Sequence, residues 1–509
     1  MGSLDAVSLT IFLGALIVLA GVLSSLVALR FGAPLLLIFL LIGLTFGEAG
    51  PIGIQFDDVR TAYTVGTMAL GLILFDGGLR TPLRTFRNVV RPAGLLATVG
   101  VLVTAAVVAP VAAYSLNIGL LEGLLVGTII ASTDAAAVFF LLHARGLRLR
   151  PRVGATLEVE SGTNDPLAIF LTIVIIETLL LGNQGALAIG AGLVRKALLG
   201  GALGIGGGWC IVYVLNRLNL PQGLHAPFVA TGAVVVFGLA EVVHGSGYLA
   251  AYVAGLTVGN RPTRAHNTVI VFLDAVTWLA QIAMFVILGL LAWPARLSAT
   301  LGAALLIAAT LMLVARPAAV FLCLWWFRFS LRERIFISWV GLRGAFSIFL
   351  ASIPLLVEMP RAYIFFDVAF VVVLLSLLVQ GWTVAIAARL LNVALPRADA
   401  PSRRIELDLP GQLEQELVGY AVTANSLYLR RNVIPSWAKP TLVVREGRVL
   451  PAADTGSVRE GDYVYLLAPP DRAQALDRFF VDMPAPAAPD ERLLGDFFVP
   501  GDATLGALG

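Results

Sequence analysis

Residues 160–166 read Glu160-Ser161-Gly162-Thr163-Asn164-Asp165-Pro166, a polar run inside the otherwise largely apolar stretch Val153–Leu180. A second polar run, Ser132-Thr133-Asp134, lies inside the apolar stretch Leu120–Leu142. Both stretches are long enough to cross a bilayer as a helix. Because an ionisable side chain near the bilayer centre costs about 2.5–3.5 kcal/mol on insertion scales, such a residue belongs by default to a pathway for ions or protons. The two runs therefore predict a membrane-embedded cation carrier.

The composition of the whole chain is that of a membrane protein. Of the 509 residues, 58% are hydrophobic and only 13% are charged, whereas a typical soluble domain is roughly 25% charged. The formal net charge is +3 and the basic residues are scattered between apolar blocks, which argues against a nucleic-acid partner. The two cysteines, Cys210 and Cys323, lack the spacing of a metal or redox site. We therefore expect a polytopic transport protein and not an enzyme.

Apolar windows recur from Ala6 to about residue 395. A hydrocarbon core about 30 Å thick needs roughly twenty apolar residues per helix. The N-terminus has no positively charged segment before its first apolar run, so that run is predicted to be a retained helix and not a signal peptide. About thirteen transmembrane helices are predicted, at residues 6–29, 33–48, 61–79, 92–114, 120–142, 153–180, 191–215, 226–243, 247–259, 268–292, 298–327, 334–356 and 362–391.

Arginine residues between these windows give an orientation. Cytoplasmic loops carry an excess of Lys and Arg, and alternate loops here are the basic ones. They hold Arg30; Arg80, Arg84, Arg87 and Arg91; Arg145, Arg148, Arg150 and Arg152; Arg217; Arg261 and Arg264; Arg328, Arg332 and Arg334; and Arg397, Arg403 and Arg404. The intervening loops hold isolated cases such as Arg60, Arg296 and Arg361, and Arg195 and Lys196 at the start of the seventh span run against the alternation. The pattern predicts an N-terminus outside the cell and a C-terminus in the cytoplasm.

The composition changes after residue 395. Residues 396–404 are predicted to be a polar linker, and residues 405–482 a small cytoplasmic α+β domain. Its strands are predicted at Leu417–Thr423, Leu442–Arg445, Arg448–Leu450 and Tyr463–Leu467, with a helix at Asp471–Phe480. Residues 483–509 form a Pro- and Ala-rich linker and a tail too short to fold alone. The predicted fold is thus an all-α membrane domain, residues 1–395, followed by this α+β domain.

The polar residues of the fifth and sixth spans define a candidate ion site. Ser161 and Asp165 lie one helical turn apart on one face, and Glu160 and Asn164 are paired on the adjoining face. In the fifth span, Asp134 is followed by three alanines, so another segment can approach closely. A broken helix there would aim backbone carbonyls and a half-helix end at a cation.

Buried basic residues need partners. Arg343, in Gly341-Leu342-Arg343-Gly344 of the twelfth span, is predicted to pair with Glu160, the nearest acid by type. Arg316 in the eleventh span is a candidate partner for Asp76, although Asp76 lies near a cytoplasmic helix end and snorkelling is an equal alternative. A structural role as an interhelical hydrogen-bond partner also stays open for Asp134.

The order of Ser-Thr-Asp-Ala-Ala-Ala, Glu-Ser-Gly-Thr-Asn-Asp-Pro and Gly-Leu-Arg-Gly-Ala over residues 6–395 resembles the monovalent cation–proton antiporters of the NhaP and sodium–hydrogen exchanger group. The resemblance implies inverted repeats with crossed broken helices, a core that moves against a scaffold as an elevator, a homodimer formed through the membrane domain, and a bacterial inner membrane location. It also implies residue roles: Asp165 binds the cation and the proton, Ser161, Thr133 and Asp134 complete the cation shell, Asn164 supports it, and Glu160 pairs with Arg343.

The C-terminal region resembles a second family. The strand around Gly419, the Val444-Arg445-Glu446-Gly447 hairpin and the stretch Val458–Tyr463 resemble the TrkA-C (RCK-C) regulatory domain of potassium transport proteins. No G-x-G-x-x-G motif follows residue 395, which argues against gating by NAD or glutathione; a small nucleotide, as bound by relatives of this domain, is the candidate ligand. The tail Leu494–Gly509 resembles the start of the transporter-associated domain that follows TrkA-C in bacterial antiporters.

One central carboxylate can hold a proton or a cation but not both, because a bound cation lowers its proton affinity. Since Asn164 does not titrate, this predicts an electroneutral one-for-one exchange that needs no cofactor. The TrkA-C resemblance favours potassium over sodium, although hard oxygen ligands serve both cations. Two rival classes lack their motifs: a ligand-gated cation channel has no Thr-Val-Gly-Tyr-Gly-like filter here, and an intramembrane aspartyl protease has no Tyr-Asp and Gly-x-Gly-Asp pair.

Overall fold

The computed structural model describes residues 8, 12–24, 34–48, 50, 53–54, 56, 58–81, 83–182, 186–218, 220–221, 223–396, 402–407, 415–423, 426, 428–429, 434–445, 448–451, 457–469, 476 and 479–480. The chain forms two compact units, Met1–Leu395 and Pro396–Gly509.

The first unit is helical. Its helices are α1 (Phe12–Ser24), α2 (Leu35–Phe46), α3 (Val59–Arg80), α4 (Leu83–Leu95), α5 (Val101–Leu116), α6 (Leu120–Ile129), α7 (Ala135–His143), α8 (Pro151–Leu181), α9 (Ala186–Arg217), α10 (His225–Val242), α11 (Gly247–Gly259), α12 (His266–Leu290), α13 (Pro294–Thr310), α14 (Arg316–Leu324), α15 (Leu331–Trp339), α16 (Ala345–Leu356) and α17 (Ala362–Leu390). One π-helical turn, Leu96–Gly100, joins α4 to α5, and another, Leu311–Ala315, joins α13 to α14.

The helices agree with the predicted membrane spans. Within the described residues, eight helical segments are long and apolar enough to cross a membrane, and five shorter helices are apolar as well. Each of the thirteen predicted windows overlaps one of these segments. The predicted all-α polytopic architecture is confirmed.

Two of the predicted spans are broken helices. The fifth divides into α6 and α7, and the twelfth into α15 and α16. The first break ends where the Asp134 side chain accepts a hydrogen bond of 3.0 Å from the backbone N–H of Ala137 and caps α7, as a short acidic residue does at a helix start. The second break ends at Gly344, whose backbone is extended with φ −104° and ψ −170°. The broken fifth helix expected from the sequence is confirmed.

Helix α8 lies at the centre of this unit. It packs against α3, α4, α6, α7, α11, α15 and α16, and it runs without interruption through Pro166. Helices α3 and α11 approach each other closely because Gly255 and Gly259 of α11 face the backbone of Phe75 and Leu79, where a Cβ would collide with a carbonyl oxygen. Helix α11 also packs against α8.

The second unit contains a five-stranded antiparallel sheet in the order β3-β4-β7-β5-β6. The strands are β3 (Ser402–Leu407), β4 (Gln415–Ala421), β5 (Lys439–Arg445), β6 (Arg448–Pro451) and β7 (Tyr463–Ala468), whereas the short β1 (Leu147–Leu149) and β2 (Ala394–Pro396) pair separately. The four predicted strands are confirmed. The predicted linker is wrong at its end, because Ser402–Arg404 belong to β3, which gains backbone hydrogen bonds by pairing with β4.

The core of this unit lies on one face of the sheet. Phe480 stacks on Tyr420 with ring centroids 4.3 Å apart. Of the helix predicted at Asp471–Phe480, the structure describes residues 476, 479 and 480, and residues 483–509 lie outside the described residues. Arg445 Nη2 lies 2.8 Å from the carboxylate of Asp462. Hydrogen bonds from the Arg445 guanidinium hold the pKa of Asp462 below its usual value, so this pair joins β5 to the turn before β7.

Candidate ion-binding site

Three polar side chains of α8 face the break between α6 and α7. The hydroxyl of Ser132 donates a short hydrogen bond to the carboxylate of Asp165. Asn164 Nδ2 donates to the hydroxyl oxygen of Thr133 at 2.8 Å, and Ser161 Oγ donates to the Thr133 carbonyl oxygen at 2.8 Å. Asn164 is fully buried and Asp165 is 6% exposed. The structure therefore brings the predicted residues of the fifth and sixth spans together at one buried place.

The start of α7 completes this arrangement. The backbone N–H of Ala135 donates to Ser161 Oγ at 3.2 Å, so one hydroxyl ties α8 to both sides of the break. Asp134 is half-buried, and its carboxylate is close enough to Asp165 for the two to interact electrostatically. The positive end of the α7 dipole lies at this position, where it favours negative charge. Two acids, three hydroxyls and backbone oxygens thus converge.

The second break lies directly on the first. The backbone N–H of Asp134 donates to the carbonyl of Leu342 at 2.8 Å. Arg343 Nη1 donates to the carbonyls of Ala131 and Ser132, the latter at 2.6 Å. These carbonyls follow the end of α6 and would otherwise lack partners. The guanidinium therefore neutralises the negative end of the α6 dipole inside the protein.

Both predicted ion pairs are wrong. Arg316 of α14 forms a bidentate ion pair with Glu160, with N–O distances of 2.5 and 3.0 Å. Arg343 instead donates hydrogen bonds to the carbonyls of the first break and interacts with Glu160 only at longer range. Asp76 pairs with Arg80, one turn further along α3, at 3.0 Å. The physical reason is packing. Helix α14 packs against the α4–α5 junction, and this junction packs against α8, so Arg316 reaches Glu160. Spacing along the chain does not reveal this arrangement.

Some residues that contact the site were not predicted from the sequence. Ser132 belongs to the Ser-Thr-Asp motif, but its hydrogen bond to Asp165 was not predicted. On α17, Ser376 accepts a hydrogen bond from the backbone N–H of Arg343 at 3.0 Å, and Gln380 Nε2 donates to the Trp339 carbonyl at 2.7 Å. Ser376 also donates to Gln380 at 2.7 Å. Two polar residues four apart in an apolar helix were the available signal.

The ligand atoms suit a small hard cation. Carboxylate, hydroxyl and carbonyl oxygens are the donors that alkali cations prefer. Among the residues that the structure describes, no group of three or more His, Cys, Asp or Glu is arranged to hold a metal ion. In the same part of the chain, no Lys or Arg forms an ion pair with Asp165. The carboxylate is therefore available to a proton or a cation.

The profile of a family described as "Sodium/hydrogen exchanger, transmembrane" matches residues 14–390. The chain belongs to this family. The exchanger-family resemblance drawn from the motifs is thereby confirmed, and the crossed breaks described above lie wholly within the matched residues.

Similar proteins include curated antiporters. The chain is 41% identical over 510 residues to the K(+)/H(+) antiporter NhaP2 of Shewanella sp. (strain MR-4), covering 98% of this chain and 88% of that protein. It is 38% identical to the K(+)/H(+) antiporter NhaP of Alkalimonas amylolytica, covering 91% of this chain and 82% of that one. The sodium proton antiporter MjNhaP1 from Methanocaldococcus jannaschii is similar in structure, with a TM-score of 0.65 at 25% identity, covering 76% of this chain and 98% of that chain.

Proposed function

We propose that this exchanger-family protein exchanges a cytoplasmic monovalent cation, potassium, for protons. The observation that carries the proposal is the buried carboxylate of Asp165, which faces the crossed breaks and has a serine hydroxyl as its hydrogen-bond partner. A desolvated carboxylate strongly disfavours an uncompensated charge. Asp165 therefore holds either a proton or a cation, and competition for this one group couples the two fluxes.

The stoichiometry follows from the neighbours of Asp165. Asn164 uses its amide to hold Thr133, and an amide does not titrate. The carboxylate of Asp134 already accepts the hydrogen bond that caps α7. Because Asp134 and Asp165 interact, they titrate as a pair, and we propose that this pair releases one proton for each cation it binds. The exchange is then electroneutral.

Alternating access requires the site to move relative to the two sides of the membrane. Ser161 and Asn164 bind α8 to the first break, and Arg343 binds the first break to the second. These hydrogen bonds support a single body made of α8 and both broken helices, which carries the ion in an elevator motion against the rest of a homodimer. The dimer forms through the membrane-spanning unit, in contact with lipid.

Potassium is favoured over sodium by two observations. Relatives that cover nearly the whole chain are named K(+)/H(+) antiporters, and the C-terminal unit holds a small antiparallel sheet at the position of the TrkA-C resemblance. We propose that this unit regulates transport from the cytoplasm, with a small nucleotide as candidate ligand. The protein then lies in a bacterial inner membrane with its N-terminus outside. Sodium is the alternative substrate, because the structural relative is named a sodium proton antiporter.

The test is dissipation of a preformed pH gradient in proteoliposomes on addition of potassium, sodium, lithium or rubidium, with and without an imposed membrane potential. Potassium is expected to give the largest response, with a rate independent of the potential. A larger sodium response would make sodium the substrate, and a voltage-dependent rate would contradict the one-for-one stoichiometry. Cation flux without proton counterflow would indicate a channel instead.

A further inference from the structure

Helix α8 carries a second carboxylate on the face that holds Asp165. Glu158 lies seven residues before Asp165, which corresponds to two helical turns, about 10.5 Å along the axis, at nearly the same angular position. Glu158 is half-buried, and its hydrogen-bond partner is Thr81, the residue that ends α3. Glu160, two residues on, faces elsewhere and is neutralised by Arg316. The mechanism proposed above leaves Glu158 without a role.

The contact between Glu158 and Thr81 is arranged for proton exchange. Thr81 Oγ1 lies 2.7 Å from Glu158 Oε1 and 2.8 Å from the carbonyl oxygen of Gly77. A hydroxyl has one proton, and a carbonyl oxygen only accepts. When Glu158 is ionised, Thr81 donates to it; when Glu158 is protonated, Glu158 donates to Thr81, which turns its own proton to Gly77. Rotation of one hydroxyl therefore satisfies both protonation states.

A buried tyrosine packs against α8 at Gly162, between the positions of the two acidic residues. Tyr252 of α11 is 4% exposed, and its ring lies so close to Gly162 that a Cβ there would be 2.6 Å from Tyr252 Cε2. Gly162 stands between Glu158 and Asp165 on α8. Within the described residues, the Tyr252 hydroxyl makes no hydrogen bond of normal geometry, yet it is near enough to Thr81 and Glu158 to interact with both. This hydroxyl is an unused donor and acceptor on the path.

We propose that Glu158, Thr81 and Tyr252 form a proton-relay site between Asp165 and the Pro151 end of α8. The proposal rests on the proposed antiport function. The Asp165 carboxyl loses a proton and the Glu158 carboxylate gains one. The Tyr252 hydroxyl, beside Thr81 and Glu158, accepts and donates a proton at the Glu158 end of this transfer. The tyrosine ring covers this face of α8, so a hydrated cation does not follow the same path. Asp76, the nearest other acid on α3, is paired with Arg80 and takes no part.

The test compares two exchange modes in proteoliposomes. Potassium-for-proton exchange needs the relay, whereas rubidium-for-potassium exchange without a pH gradient moves cations alone through Asp165. The variants are Glu158→Gln and Tyr252→Phe, which keep side-chain size, and Glu177→Gln, which removes a carboxylate near the other end of α8 as a control. We expect Glu158→Gln to slow potassium-for-proton exchange about ten-fold or more, Tyr252→Phe to slow it less, and all three to exchange rubidium for potassium at the wild-type rate.

Wild-type potassium-for-proton exchange in Glu158→Gln would overturn the relay. An equal loss of both modes in that variant would also overturn it, because Glu158 would then belong to the cation path or to the fold. Absence of proton-coupled exchange in the wild type is a different result, since it removes the proposed function itself and the relay with it.

Discussion

At the residue scale, the partner of each membrane-embedded acid separates its role from that of its neighbours. The carboxylate of Asp165 accepts a hydrogen bond from a hydroxyl, that of Asp134 from a backbone N–H, and that of Glu160 from a guanidinium. A buried carboxylate with a bidentate arginine is neutralised permanently, while one with a hydroxyl still needs a proton or a cation. Under the proposed mechanism, Asp165 is therefore the acid that exchanges a proton for a cation.

The Glu160–Arg316 pair gives a stability prediction at this scale. Removing one partner by Glu160→Leu or Arg316→Met leaves the other charge buried, at a cost of about 3–5 kcal/mol in unfolding free energy. The double variant Glu160→Leu/Arg316→Met should recover much of that loss. Thermal unfolding of the purified protein in detergent measures the four members of this cycle.

The matched control is the cycle of Glu160 with Arg343. Because Arg343 hydrogen-bonds carbonyls of the first break, its coupling to Glu160 should be the smaller of the two. A larger coupling with Arg343 than with Arg316 would restore the pair that was predicted from the sequence.

At the element scale, each broken helix depends on the other. The N–H of Asp134 reaches the second break, and Arg343 of the second break reaches carbonyls of the first. Gly344 permits this approach, since a Cβ there would overlap the Asp134 carboxylate and lie 2.9 Å from its Cβ. Substitution at this glycine separates the two breaks without removing any functional group.

Gly344→Ala should therefore abolish exchange and lower the unfolding free energy by about 1–3 kcal/mol, the usual cost of overpacking. Gly302→Ala in α13, where a Cβ meets nothing within 4 Å, is the matched control and should behave as wild type. Proteoliposome exchange rates and melting temperatures of the two variants are the measurements. A fully active Gly344→Ala protein would show that the breaks do not need this contact.

Some of these elements could be predicted from the sequence and others could not. The first break was predictable because Ser132-Thr133-Asp134 interrupts an apolar run and ends in a helix-capping residue. The π-helical turns were not, because the apolar pattern continues through Leu96–Gly100 and Leu311–Ala315. The partner of Glu160 lies 156 residues away, and local spacing carries no information on which helix packs against that face.

At the scale of the whole molecule, composition located the boundary between the two units near residue 395, where apolar windows stop. The alternation of apolar residues predicted β4 to β7, while β3 was missed because Ser402-Arg403-Arg404 is polar and resembles a linker. A charged strand is common at the edge of a sheet, and β3 is the edge next to β4. Only pairing with β4 distinguishes it from a linker.

The proposed regulatory role of the second unit gives a prediction at this scale. A chain that ends at residue 395 retains every residue of the site, so it should still exchange cations for protons. Its dependence on pH or on added nucleotides should differ from that of the full chain. Exchange rates of both chains over a pH series, with and without nucleotide, measure this. Identical profiles under all conditions would contradict regulation by this unit.

Asp165 is proposed to carry the proton and the cation in turn. The most direct test of this role is potassium-evoked dissipation of a pH gradient by Asp165→Asn, beside wild type and Glu177→Gln, after size-exclusion chromatography has shown all three to be folded. We expect a full response for wild type and Glu177→Gln. For Asp165→Asn we expect the level of protein-free liposomes, because an amide neither releases a proton nor balances the charge of a cation. Exchange retained by a folded Asp165→Asn protein would contradict this role of Asp165.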